Sequence, residues 1–71
     1  MSASALRVDV NGAPRVLAAP ALAGLLAEMG LSDRRGVAVA VNGVVVPRAE
    51  WGSRLLAAGD AIEVVAAVQG G

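Results

Sequence analysis

The chain has 71 residues, a length that fits one small domain whose folding hides only about 60% of the unfolded surface. A hydrophobic content of 56% offsets that small size, and with Trp51 as the sole aromatic residue the core must come from aliphatic side chains. Six arginines balance six acidic residues, which argues against nucleic acid as the main partner, and the lack of Cys, His and Lys excludes thiolate, imidazole and Schiff-base chemistry. A self-sufficient enzyme is hard to assemble from what is left, so the composition points to a protein that enzymes act upon. The longest uncharged run in the first half, Val16 to Ala27, is too short to span a bilayer and contains Pro20 and Gly24. No apolar stretch precedes Arg7 and Asp9 as a signal peptide would, and a cytoplasmic location is the expectation.

Met1 to Ser4 is small and polar. Leu6, Val8 and Val10 then alternate with Arg7 and Asp9, the period-two pattern of a half-buried strand. Asn11-Gly12 is a strong hairpin signal, because both central residues of a type I′ turn need positive φ. Arg15-Val16-Leu17 is the expected return strand, and Pro14, which lacks a ladder donor, suits an edge. Pro20 is expected at the first position of a helix, with Ala19 as a poor N-cap. Leu22, Leu25, Leu26 and Met29 form one apolar stripe, which reads as core, and Gly30 supplies the stop. Gly24 in the interior costs that helix about 1 kcal/mol relative to Ala, so packing must hold it.

Leu31 to Gly36 reads as a polar connection. Val37, Val39 and Val41 alternate with Ala38 and Ala40 as a third strand, Asn42-Gly43 repeats the hairpin signal, and Val44-Val45-Val46 returns until Pro47 ends it. Between Arg48 and Leu56 a single helical turn is expected, with Glu50 and Arg54 as an i,i+4 pair and Trp51 sharing a face with Leu55. Trp51 is expected to cover the open edge of the core, and Arg48 to be a solvated charge. Gly59-Asp60 turns the chain into a last strand, with Ile62, Val64, Ala66 and Val68 facing one way and Glu63, Val65 and Ala67 the other.

Hairpin, helix, short hairpin, helical turn and final strand make an α+β chain. The helix must bury its stripe on one face of a shared sheet. The last strand is apolar on both faces from Val64 onward and belongs in the centre, parallel to the first, with the short Pro-marked strands at the edges. This is a ubiquitin-like β-grasp: a mixed sheet of four to five strands with one main helix. No linker or repeat divides residues 1–71, and residues 69–71 are expected to form a flexible tail beyond the single domain. The sequence given ends in Gly70-Gly71, and with no turn for these glycines to serve they are expected to form a thin tail tipped by a carboxylate.

The stretch Val41-Asn42-Gly43-Val44-Val45-Val46-Pro47-Arg48-Ala49-Glu50-Trp51 resembles the ThiS family of sulfur carriers in thiamine biosynthesis. So does Leu55 through Gly59-Asp60-Ala61-Ile62-Glu63-Val64-Val65, leading into Val68-Gln69-Gly70-Gly71. The likeness covers nearly the whole chain after Ser4, and its specificity lies in the combination of a VNG-x-VVPR-x-x-W segment, a GD turn and a terminal Gly-Gly. The departures are the four-residue extension at the start and the entrance Ala18-Ala19-Pro20-Ala21, which lacks a hydroxyl cap.

The resemblance implies a β-grasp protein with no bound cofactor. A ThiF-like adenylating enzyme, using MgATP, would convert the unreactive Gly71 carboxylate into an acyl adenylate. Persulfide sulfur from a cysteine desulfurase system would displace AMP and leave a thiocarboxylate, and a ThiG-like thiazole synthase would take that sulfur. Gly70 would let the tail thread a narrow channel, since it has no Cβ, and Gln69 to Gly71 would reach about 10 Å. Val65 and Ala67, with Ala38 or Ala40 beside them, would present a docking face to the partner, and Val68 and Gln69 would contact it next to the tail. No nucleic acid or membrane partner is implied. The alternatives are a MoaD-like carrier of molybdopterin synthesis, ranked lower because of the VVPR-x-x-W segment and short chain, a ubiquitin-type protein modifier, or a purely structural β-grasp binding module.

Overall fold

The computed structural model describes residues 5–67, so Val68, Gln69, Gly70 and Gly71 lie outside the described residues. Strands β1 (Leu6–Val10) and β2 (Ala13–Leu17) precede helix α1 (Leu22–Glu28). Strands β3 (Val37–Val41) and β4 (Val44–Val45), a 3-10 turn (Arg48–Glu50) and strand β5 (Ala61–Ala66) complete the order. The sheet runs β2-β1-β5-β3-β4, with β1 and β5 parallel and the other neighbours antiparallel. This is the expected β-grasp arrangement, with the last strand central and the two Pro-flanked strands at the edges.

Both hairpins close as the Asn-Gly signals predict. Val10 pairs with Ala13 and Val41 with Val44, leaving two-residue loops. Asn11 and Gly12 have φ of 53° and 85°, and Asn42 and Gly43 have 51° and 83°, so every central residue sits in the left-handed region that a type I′ turn requires.

Helix α1 buries Leu22, Leu25 and Leu26 completely against Val8, Val39, Val41, Ile62 and Val64, while Met29 packs at the rim. Its C-terminus is a Schellman motif. Gly30 N–H donates to Ala27, Leu31 N–H donates to Leu26, and Gly30 takes φ +76°. That motif carries Leu31 into the core, so the α1–β3 connection is not wholly polar as expected; its first residue is buried.

The N-terminus departs from expectation. The cap is Ala21, not Ala19, and Pro20 precedes the helix instead of opening it. Ala21 is extended and bridges Leu55, while the Pro20 carbonyl accepts from Leu56 N–H at 2.8 Å. No side chain caps this end. The N–H groups of Leu22 and Ala23 instead donate to the carbonyls of Arg54 (2.9 Å) and Trp51 (3.0 Å), so a distant segment satisfies donors that a Ser or Asp cap would usually take.

The same bridge explains a second departure. Trp51 is buried, but Leu55 is 64% exposed and Leu56 enters the core in its place. The helical turn ends before Leu55, the chain becomes extended, and the i,i+4 relation between Trp51 and Leu55 is lost. Glu50 and Arg54 are likewise not an ion pair; Arg54 N–H donates to the Glu50 carbonyl. The third valine of the return strand, Val46, lies just past β4 yet still donates its N–H to the Val39 carbonyl at 2.9 Å; its side chain is buried, and its carbonyl accepts from Trp51 Nε1 at 3.0 Å.

Candidate functional site

The chain's candidate chemistry lies where β5 leaves the sheet. Period-two alternation buries Ile62 and Val64, half-buries Ala66, and turns Glu63, Val65 and Ala67 to the face opposite the helix. Val65 is 64% exposed and lies opposite Ala38, while Ala40 lies opposite Glu63 and Val45. The described part of the expected docking group is therefore one contiguous surface: Val65, Ala67, Ala38 and Ala40 share a face. Beyond Ala66 the antiparallel contact continues for one more residue, with Ala67 N–H donating to the Gly36 carbonyl at 2.9 Å.

Two asparagines hold β5 in place. Strand β1 ends at Val10, short of Val64, and the Asn11 side chain extends the ladder. Its Nδ2 donates to the Val64 carbonyl (3.1 Å) and its Oδ1 accepts from Val64 N–H (2.9 Å). Asn11 was legible only as a turn residue, although it combines left-handed tolerance with a side-chain amide that mimics a peptide group. At the start of β5, Asn42 accepts from Ala61 N–H (3.0 Å) and donates to Asp60 Oδ1 (3.0 Å). The other Asp60 oxygen accepts from Ala57 N–H at 2.8 Å. The Ala57 and Asn42 hydrogen bonds, helped by the positive charge of Arg54, hold the Asp60 carboxyl below its ordinary value of 3.8.

Arg48 is exposed, as expected of a solvated charge, but its guanidinium is also held by neighbours that the spacing does not reveal. Its guanidinium stands 4.4 Å from the centre of the Trp51 ring and donates through Nη1 to the Ser32 carbonyl (3.1 Å) and through Nη2 to the Arg34 carbonyl. The cation–π contact contributes about 0.5–1 kcal/mol at an exposed site. Burial fixes Trp51 by its Val46 hydrogen bond, Trp51 seats Arg48, and Arg48 ties down the α1–β3 loop that leads to Gly36. Spacing could not reveal these partners, because they are backbone carbonyls 14 and 16 residues away.

Among the described residues, no three His, Cys, Asp or Glu side chains gather as a metal site, and no helix is long and apolar enough to cross a membrane. Gly70 and Gly71, the expected reactive and threading residues, lie beyond the described end of β5.

The ThiS family model matches residues 8–71. The chain belongs to the ThiS family. Its similarity to the sulfur carrier protein ThiS of Thermus thermophilus is 44% identity over 64 residues, covering 90% of this chain and 98% of that protein. A crystal structure of the thiamine biosynthesis protein ThiS from Geobacter metallireducens superposes with a TM-score of 0.74 at 26% identity, covering 93% of this chain and all of that one. The family match thus takes in every strand of the β-grasp except the first two residues of β1, and continues through Gly70 and Gly71.

Proposed function

We propose that this protein carries sulfur for the thiazole of thiamine on the carboxyl carbon of Gly71. The carboxylate attacks the α-phosphorus of MgATP in a ThiF-like activating enzyme, giving an acyl adenylate and pyrophosphate. The terminal sulfur of a cysteine-desulfurase-derived persulfide displaces AMP, and a thiol then cleaves the S–S bond to free the thiocarboxylate. A ThiG-like thiazole synthase takes the sulfur, and the carboxylate returns for another cycle. The carrier binds no cofactor and catalyses no step itself. Gly70 keeps the tail slim enough to enter each partner's cleft. Val65 and Ala67, at the described end of β5, and Val68 and Gln69, which follow them in the sequence, are assigned to docking. ATP and reduced persulfide sulfur are both available in the cytoplasm, where this cycle would run.

The observation that carries this reading is the ThiS family match continuing through the terminal Gly-Gly. The protein is tested by intact mass after incubation with MgATP, a ThiF-like enzyme and a persulfide source. A gain of one sulfur less one oxygen, localised to Gly71 and absent without ATP, is expected, and thiazole synthase should discharge it. An adenylate that accepts amines but never sulfur would favour a protein modifier instead. Failure to form any adenylate would overturn both.

A further inference from the structure

We propose that Arg48 is a positioning residue for the reactive tail, acting through the α1–β3 loop. This rests on the sulfur-carrier reading above for its functional consequence, but its physical basis is independent of it. The last hydrogen bond between the described end of β5 and the sheet is the one from Ala67 N–H to the Gly36 carbonyl. Whatever sets the place of that carbonyl sets the place of Ala67, the last described residue before the terminal segment.

Gly36 lies at the end of a connection with little regular structure of its own. The Schellman motif fixes its start at Leu31, and β3 begins at Val37. Between them, Arg34 N–H donates back to Leu31, and the carbonyls of Ser32 and Arg34 both accept from Arg48. Arg48 thus grips the connection two residues before Gly36, while the Trp51 ring holds the guanidinium from the other side.

Gly36 itself leaves no slack. It has φ +74°, and a Cβ there would stand 2.9 Å from the Ala67 Cβ, closer than two side-chain carbons can approach. The loop is therefore fitted to the strand end at a bare peptide, and Arg48 fixes the loop in that fitted position. A lysine would not replace it. Its ammonium is a point charge without the planar fork that reaches two carbonyls while stacking on an indole.

A tail whose base is held needs less ordering when it enters an enzyme cleft, so the effect belongs on binding and not on the chemical step. Arg48→Lys and Arg48→Ala are compared with the wild type by amide hydrogen exchange and by adenylation kinetics. Exchange at Ala67 is expected to accelerate about tenfold in both variants, while Val64 N–H, held by Asn11, is unchanged. KM for the carrier is expected to rise about tenfold with kcat kept within about twofold. Gly36→Ala, with Arg48 intact, should reproduce the Ala67 acceleration.

Unchanged Ala67 exchange in Arg48→Lys, or acceleration shared equally with Val64, would overturn the proposal; so would a loss confined to kcat. The lysine variant carries the test if the alanine variant does not fold. A wild-type protein that is never adenylated would sink the carrier function while leaving the exchange result to judge Arg48.

Discussion

At the scale of single residues, the polar side chains of this domain act mainly on backbone. Asn11, Asn42, Asp60 and Arg48 each hold peptide groups, and together they determine how β5 enters and leaves the sheet. Asp60 gives the pH test of that role. Its folded carboxyl titrates below the ordinary value of 3.8 because the ionised form accepts from Ala57 N–H and Asn42. The folded state therefore holds fewer protons than the unfolded chain in that range. The resulting stability is fully present above about pH 4 and is lost as pH falls through the depressed folded pKa. Asp60→Asn should be less stable than the wild type at pH 7, and the gap in thermal midpoint should narrow as the pH is lowered below about 4. A gap independent of pH would show that the charge contributes nothing. Arg15 and Glu28 offer a contrast: they meet at 3.6 Å but both stay well exposed, so their pairing is worth little.

At the scale of elements, legibility followed the range of the forces involved. The Asn-Gly turns and the Leu22, Leu25, Leu26 stripe were readable because positive φ and helical periodicity are local properties. Leu55, Pro20 and the cap at Ala21 depart from the local pattern because one long-range bridge, Ala21 to Leu55, fixes the chain around all three. Arg48 and the Asn11 clamp on Val64 were missed for the same reason, since their partners lie 14 to 53 residues away. The helix shows what local sequence leaves undone. It spans seven residues, has no side-chain cap, no acidic residue in its first turn and a glycine inside, so tertiary contacts hold it. Gly24→Ala should then stabilise the protein. The new Cβ would meet Ala19 Cβ at 3.7 Å, an ordinary contact, and the backbone there needs no glycine. A gain of about 1 kcal/mol is expected, raising the thermal midpoint by about 4–8 °C. A fall in the midpoint would mean that the Ala19 side chain has no room to give.

At the scale of the whole molecule, the sheet order makes the strand that carries the tail the best supported one. β5 has β1 on one side and β3 on the other, while β2 and β4 take the exposed edges. The helix covers one face, which leaves Val65, Ala67, Ala38 and Ala40 together on the other. The alternation of the final strand made this face legible in the sequence; the sheet register that assembles it was not. A partner that draws in a tail beyond β5 must approach this end of the domain, and a small apolar surface there can dock without strong charge of its own. Ala67→Asp tests that directly. The side chain points to solvent, so folding should be untouched and the thermal midpoint should stay within about 2 °C. Binding to a ThiF-like enzyme should weaken at least about tenfold, because a carboxylate would be desolvated without a partner. Val16→Asp is the control. Val16 is 60% exposed and pairs with Arg7 on the same open face, but it lies on the β2 edge near the end of the sheet from which β5 starts. Equal loss in both variants would reduce the effect to added negative charge, and no loss in Ala67→Asp would remove the open sheet face from the docking surface altogether. Loss in Ala67→Asp alone would place the contact beside the tail, where an activating enzyme has to sit to reach the terminal carboxylate.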